Sequence, residues 1–331
     1  MALPLWKDRQ VLITGATGFV GSHLAERLVA VGACVRVLVR NPQKLLPSLQ
    51  GRVEVAGGDL LQPDSFAAAV AGREIIFHVA AWLGSPNRLD AAHAINVTAT
   101  RQLAEAARSA GARRFIGTSS IAVYGPLKAG LIDETQPHWN VYAYAETKSL
   151  GEAAALQTAT DLFGVTVIRP AEVYGPRGGD WTVTPVSLAK RGLPSLIGGG
   201  HGLCHPVYVD NLVDAYLYAA TRPEAIGQAF TICDCDVPWR EFFGRYAMMA
   251  GKRARSIPVA LVQVAVLCSE AGSKIMRRPA LFTRETIGFI TGQYRLSTEK
   301  ARRLLDWSPQ VSLDEGLRRT EVWLREAGYL Q

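Results

Sequence analysis

Tyr144 and Lys148 stand four residues apart in Tyr144-Ala-Glu-Thr-Lys148, the spacing that puts two side chains on one face of a helix. The pairing has a chemical use. A phenol titrates near about 10 and exchanges protons poorly at neutral pH. An ammonium beside it stabilises the phenolate and draws that value down. Thr118-Ser119-Ser120 comes twenty-four residues before the tyrosine and ends the strand-like run 114–118. A strand-end hydroxyl there can bond a substrate oxygen opposite the phenol. Hydroxyl, phenol and ammonium together form an acid–base set for an oxygen whose carbon changes oxidation state. A capping serine and an exposed helix pair are the structural alternatives.

Such a set needs a redox carrier, and the N-terminus offers a place for one. Thr14-Gly15-Ala-Thr-Gly18-Phe-Val-Gly21 follows the apolar run 11–14 and opens a helical pattern over 21–31. Gly15 permits a tight turn, Gly18 lets backbone approach a pyrophosphate, and Gly21 lets the helix pack closely on the strand. The helix N-terminus adds free N–H donors and the positive end of its dipole. The next strand ends at Val39-Arg40. Val39 stands where a carboxylate would bind ribose hydroxyls, and Arg40 follows, with Lys44 four residues on. An arginine there can pair with a 2′-phosphate and stack beside adenine. This favours NADP(H), with NAD(H) the alternative. Asp59, in Gly57-Gly-Asp-Leu60, is placed to accept from an adenine amino group. An ordinary loop aspartate and a solvated Arg40 are the competing readings.

The elements that would position these residues alternate. Strand patterns at 11–14, 35–39, 53–55, 75–79, 114–118 and 165–168 are interleaved with helical patterns at 21–31, 65–71, 96–110 and 144–159. Alternation of this kind predicts right-handed crossovers and a doubly wound parallel α/β sheet of Rossmann type. After Arg169 glycine and proline become dense. A helix at 210–220 and a strand at 229–232 still resemble additions to the sheet. The expected division is therefore a dinucleotide-binding domain over 8–175, rejoined by 207–233. A smaller, discontinuous C-terminal substrate lobe takes 176–206 and 234–331.

Composition bounds the rest. The 331 residues are 48 % hydrophobic and 20 % charged, with a net charge of +7. Lys and Arg are scattered, which argues against a nucleic-acid partner. The five cysteines lack metal-ligand spacing, and Cys233-Asp-Cys235 has no second Cys/His pair, so no metal is expected. Reduced thiols and a polar N-terminus point to a cytoplasmic enzyme. The longest apolar run, 259–268, is too short to span a bilayer, so no stable membrane insertion is expected. Surface contact through an amphipathic helix stays open.

Taken together, the motifs resemble the extended short-chain dehydrogenase/reductases. That group includes sugar-nucleotide epimerases and dehydratases, 3β-hydroxysteroid dehydrogenases and dihydroflavonol reductases. The matching segments are TGATGFVG at 14–21, GDL at 58–60, HVAA at 78–81, Asn96-Val97, TSSIAVYG at 118–125, YAETK at 144–148, IRPAEVYGP at 168–176 and HPVYVDNLVDA at 205–215. They occur in family order over 11 to about 235, with a looser match at 304–309. The resemblance implies that Tyr144 is the acid–base, Lys148 its partner, and Ser120 the group that polarises the substrate oxygen, with Ser119 the fallback. It places Gly15, Thr17, Gly18, Phe19, Val20, Arg40, Asp59, Leu60, Val79, Ala80, Ala81, Thr118, Pro170 and Val173, besides Tyr144 and Lys148, against the cofactor. Asn96 is expected near the active site, holding a proton relay or a strand bulge, and His78 is expected to be structural. A homodimer through the helices near 96–110 and 144–159 is implied, with a monomer the alternative.

Two members of the family compete. Sugar-nucleotide enzymes carry an Arg before the aromatic–Val–Asp segment, where this chain has Cys204. The lobe is apolar at 259–268 and 279–282. The expected reaction therefore interconverts a secondary alcohol and a ketone on a steroid-, terpenoid-, flavonoid- or acyl-like small molecule. A sugar-nucleotide epimerase or dehydratase is the alternative, favoured if Arg177 and Arg191 contact phosphates. Trp82, Trp139 and Trp181 are candidate cleft residues.

Overall fold

The computed structural model describes residues 5–83, 88–140, 143–276 and 284–331. Side chains are described only up to 267 and again from 287 within the 259–291 region. The Cys268 side chain and the apolar segment 279–282 thus lie outside the described residues.

The chain opens with β1 (Gln10–Thr14), α1 (Phe19–Ala30), β2 (Cys34–Val39), β3 (Glu54–Gly57), α2 (Phe66–Val70) and β4 (Ile75–His78). α3 (Leu89–His93) runs through a π-turn (Ala94–Ala99) into α4 (Thr100–Ser109), then β5 (Arg114–Thr118). Next come β6 (Ala129–Ile132), α5 (Ala143–Leu156), β7 (Gly164–Pro170), β8 (Glu172–Tyr174) and α6 (Thr184–Lys190). β9 (Leu196–Ile197), β10 (Leu203–Cys204), β11 (Pro206–Tyr208), α7 (Val209–Thr221), β12 (Ala229–Ile232), β13 (Val237–Pro238) and α8 (Trp239–Met249) follow. The chain ends with β14 (Ser256–Ile257), α9 (Val259–Met276), α10 (Arg284–Thr291), β15 (Gln293–Leu296), α11 (Glu299–Leu305) and α12 (Leu313–Glu326).

Seven strands form one parallel sheet in the order β12-β7-β5-β4-β1-β2-β3. It is a doubly wound, Rossmann-like sheet. Its two faces follow from strand alternation. Val11 and Ile13 enter the core beneath α1 and α7, whereas Leu12 enters the opposite core with Phe66, Leu103 and Phe115. The order switches between β1 and β4. In such sheets the ligand crevice lies outside the carboxyl ends of the strands at that point.

Boundaries shift from the sequence pattern in a few places. The strand expected at 53–55 runs 54–57. The helix expected from 96 begins at Leu89 and bulges at Ala94–Ala99. At the bulge α5 crosses closely. A Cβ on Gly151 would stand 2.1 Å from the Asn96 carbonyl oxygen, so only glycine fits. β12 returns to the sheet beside β7, pairing Ala229 with Val167. α11 is placed by sequence in the lobe, yet Ala301, Leu305 and Trp307 pack in the core beside α7, and the Trp307 indole donates to the Asn211 carbonyl at 2.9 Å. The lobe core is aromatic, with Tyr174, Tyr208, Trp239, Phe242 and Tyr246 buried together. Its short strand pairs, β6 with β15 and β8 with β11, carry no alternation that sequence could reveal.

Candidate active site

The glycine loop is dictated by sterics. Gly15 takes φ +78°, and a Cβ there would meet the Ala80 backbone nitrogen at 2.7 Å. A Cβ on Gly21 would stand 2.2 Å from the Gly15 carbonyl oxygen. Gly18 caps α1 in extended conformation, and no side chain caps the helix. Thr17 and Gly18 are exposed, and Phe19 and Val20 half-buried, at this open N-terminus. Uncapped amides at a helix start are an anion site.

The other expected cofactor residues stand along the same edge of the sheet. Arg40 is exposed just past β2 and has no hydrogen-bond or ion-pair partner among the described residues. Asp59 follows β3, ahead of Leu60, and its carboxylate accepts from the Leu61 amide at 3.0 Å. Val79, Ala80 and Ala81 follow β4, and the Ala80 amide donates to Thr14 Oγ1 at 3.2 Å. Thr118 ends β5, where its hydroxyl donates to the His78 carbonyl and meets the Tyr216 hydroxyl at 2.7 Å. Pro170 ends β7 and Val173 lies in β8.

His78 is structural, as the sequence implies. Thr100 donates its hydroxyl proton to the Asn96 carbonyl, so His78 Nε2–H must donate to Thr100 Oγ1 at 2.9 Å. His78 Nδ1 then accepts from Thr14 Oγ1 at 2.8 Å. Burial, together with the Lys148 charge, pushes its pKa down to about 3, so the ring is neutral. Asn96 clamps the loop after β4. Its Oδ1 accepts from the Trp82 amide at 2.7 Å, and its Nδ2 donates to Thr147 Oγ1 at 3.1 Å.

The catalytic candidates converge at the end of β5. Ser120 is extended and caps the turn Ile121–Tyr124 through the Ala122 amide. It stands close enough to the Tyr144 phenol to act on its pKa. Ser119, the fallback, is buried, and its Oγ has no hydrogen-bond partner among the described residues. One helix turn beyond Tyr144, Lys148 is buried and donates from Nζ to the Thr118 carbonyl. Burial pushes its pKa down to about 8, against the pull of Glu152. The expected lowering of the tyrosine is not seen in the protein alone. Burial raises the Tyr144 pKa and the Asp180 charge adds to that, while the neighbouring Ser120 hydroxyl acts the other way. The reason is burial, which penalises the charged phenolate. Behind Lys148 lies a cavity of about 10 Å³, lined by His78, Asn96, Ser119 and Glu152, enough for about one water.

Two partners escaped the motifs. Glu152 continues the stripe Tyr144–Lys148 by one turn and is held by Arg169 of β7 through Nε at 3.0 Å and through a second guanidinium nitrogen. The i+4 spacing was the available signal. Asp180 lies in a short π-helical turn (Gly179–Val183), and no local pattern links it to Tyr144. Arg177 is engaged by Glu26 at 2.6 Å. Cys204 is fully buried, which raises its thiol pKa. No cluster of His, Cys, Asp or Glu among the described residues could hold a metal ion. Trp181 packs on Trp239 with ring centres 5.4 Å apart, and Trp139 is exposed.

A parallel switch-point sheet with a glycine cradle and a Ser–Tyr–Lys set defines a dinucleotide-dependent oxidoreductase class. The chain belongs to the NAD dependent epimerase/dehydratase family, whose model matches residues 11–233. It is an NAD(P)-dependent enzyme of the extended short-chain dehydrogenase/reductase type, on the 3β-hydroxysteroid dehydrogenase-like branch. It is 29 % identical to 3beta-hydroxysteroid-dehydrogenase/decarboxylase isoform 1 of Arabidopsis thaliana, over 95 % of this chain and 79 % of that one. It is 30 % identical to 2-alkyl-3-oxoalkanoate reductase of Stenotrophomonas maltophilia (strain K279a), over 95 % and 98 %. Among solved structures it resembles a double mutant of the dTDP-glucose 4,6-dehydratase DesIV from Streptomyces venezuelae, determined with NAD bound. There the TM-score is 0.77 and the identity 25 %, covering 97 % of this chain and 98 % of that one.

Proposed function

We propose that the enzyme interconverts a secondary alcohol and a ketone on an apolar small molecule of steroid-, terpenoid-, flavonoid- or acyl-like character. The observation that carries this reading is the convergence of Ser120, just past the end of β5, on the buried Tyr144 phenol, with Lys148 one turn behind. The residues present fit a nicotinamide dinucleotide. Gly15 and Gly21 tolerate no side chain, the α1 amides are uncapped, and Arg40 has no partner among the described residues. Gly15, Thr17, Gly18, Phe19 and Val20 would hold the pyrophosphate and Arg40 a 2′-phosphate. Asp59, Leu60, Val79, Ala80 and Ala81 would flank the adenosine side and the bridge, and Thr118, Pro170 and Val173 the nicotinamide side.

When bound, the nicotinamide supplies or accepts the hydride. Ser120 donates a hydrogen bond to the substrate oxygen and fixes it opposite the phenol. In reduction Tyr144 delivers a proton to that oxygen. Burial keeps the phenol protonated and ready to do so. Lys148, one turn away and charged below about pH 8, favours the phenolate left behind and feeds its reprotonation through the water-sized cavity.

The relatives support the apolar reading. Two of them are named for a hydroxysteroid and an alkyl-oxoalkanoate substrate. The alternative, a sugar-nucleotide epimerase or dehydratase with retained NAD, is favoured by the likeness to DesIV. Buried Cys204 and the Glu26-bound Arg177 count against it, since neither offers a free cation to a diphosphate.

Titration with NADPH and NADH tests the cofactor reading. Arg40→Ala should weaken NADPH binding about tenfold and leave NADH unchanged, the loss of one charge-assisted contact. Tight NAD retained through purification and indifferent to Arg40→Ala would favour the alternative. Turnover of apolar ketones by the wild type is the complementary readout.

A further inference from the structure

The ends of α6 and α8 meet through a short strand pair, and the meeting gathers charge. β9 pairs with β14, Leu196 opposite Ser256 and Ile197 opposite Ile257, and the Ser195 amide donates to the Arg255 carbonyl at 3.0 Å. Lys190-Arg191 is thereby brought beside Lys252-Arg253-Ala254-Arg255 from a distant stretch of chain. The five cations line one open groove of about 460 Å³, together with Ala189 and Gly192, and no acidic residue lines it. Two of them are pinned. Lys190 Nζ donates to the Tyr329 carbonyl at 2.7 Å and Arg255 Nη1 to the Gly192 carbonyl at 2.7 Å, and neither bond supplies a counter-charge. Arg191, Lys252 and Arg253 are exposed, with no partner among the described residues. A basic residue at a helix C-terminus complements the helix dipole, and two helices end here. Each such end carries roughly half a negative charge, so the pair offsets about one of the five cations. The rest repel one another, and only an anion in the groove turns their convergence into attraction.

We infer that this groove is a binding site for a small molecule carrying two or more linked phosphates. Shape selects the size of the occupant. A concavity of this volume is that of a small-molecule site. A macromolecular polyanion needs an extended basic surface, and the other Lys and Arg of the chain are scattered. Charge selects the chemistry. Three of the five cations are arginines, whose planar forks bond two phosphate oxygens at once, and the two lysines add point charges. A single phosphate brings at most about two negative charges, and a chain of two or three matches the cations left uncompensated. The groove shares no residue with the glycine cradle or with the Ser120–Tyr144–Lys148 set, so it is a second site. Arg177, the other arginine weighed for a substrate diphosphate, is held by Glu26 and does not line it.

The test is equilibrium dialysis of the full chain against inorganic tripolyphosphate and against orthophosphate, with NADPH and NADH in excess to occupy the glycine cradle. Tripolyphosphate should bind saturably, at least about tenfold more tightly than orthophosphate. Arg191→Ala/Lys252→Ala/Arg253→Ala should weaken tripolyphosphate binding at least about tenfold. The control Arg52→Ala/Arg101→Ala/Arg113→Ala removes the same charge from exposed positions outside the groove and should change it less than about twofold. Absence of saturable binding, or equal affinity for orthophosphate, would overturn the inference. So would an equal loss in the control, which marks attraction by net charge. Undiminished binding by the groove variant would place the anion elsewhere and overturn it too.

Discussion

The two ends of the sheet's carboxyl edge are built from different material. Beside β1, β2 and β3 the site is backbone: a turn that excludes Cβ at Gly15 and Gly21, uncapped amides at α1, and few fixed side chains. Beside β5 and β7 it is a buried side-chain network. Arg169 binds Glu152, the Tyr124 hydroxyl at 2.9 Å and His138 at 2.7 Å, and Tyr124 meets Thr231 at 2.7 Å. A backbone site tolerates side-chain change around it, because main-chain groups hold the ligand. A network site does not, because every member leaves a buried partner when it goes.

The largest effect should therefore fall in the network. Arg169 and Glu152 are both about 95 % buried, with side-chain exposures of 5 % and 4 %. Arg169→Ala strands a buried carboxylate and should cost about 3–5 kcal/mol of stability, read by urea unfolding. Arg40→Ala, at the backbone end, should leave the same unfolding curve in place. An equal loss from both would erase the distinction.

Next in size is Lys148→Met, which should cut turnover about 100-fold while dinucleotide binding persists within severalfold. Wild-type reduction should decline as pH rises through about 8, where Lys148 loses its charge, and the variant should lack that limb. A variant with the wild-type profile would remove Lys148 from the scheme.

The last effect appears only in acid and concerns His78, which sits where the two regions meet. Burial holds its pKa down to about 3 in the fold, against an ordinary imidazole value of 6.5. Between those values the unfolded chain binds a proton that the folded chain refuses. Stability should then fall as pH drops from about 6.5 towards 3, by at most about 1.4 kcal/mol per pH unit. Melting temperatures over that range should show a shallower fall in His78→Gln. An unchanged slope would mean that other groups govern acid unfolding.

The same contrast explains what sequence could show. Gly15, Gly18 and Gly21 are read from one octapeptide, because a strand, a tight turn and a helix start are local events. Tyr144 and Lys148 are likewise local, fixed by one helix turn. Ser119 and Ser120 look alike in sequence, whereas in the fold one hydroxyl is buried and the other caps the turn at Ile121–Tyr124. Asp180 and Arg169 meet the site across long stretches of chain, with no periodicity to announce them. The pairing of β6 with β15 joins residues about 160 apart, and α11 packs on α7 through Trp307. The sides of α9 are equally hidden, because an apolar run does not say that Val262 and Val266 find a core while Leu261, Val264 and Leu267 stay exposed.

The most direct test of the central claim is Tyr144→Phe, assayed for turnover and for dinucleotide binding in the same preparation. Removing one hydroxyl from a proton-transferring group should lower turnover about 10²–10⁴-fold and leave dinucleotide affinity within about twofold. Turnover close to wild type would contradict the account and move the acid–base role to another group.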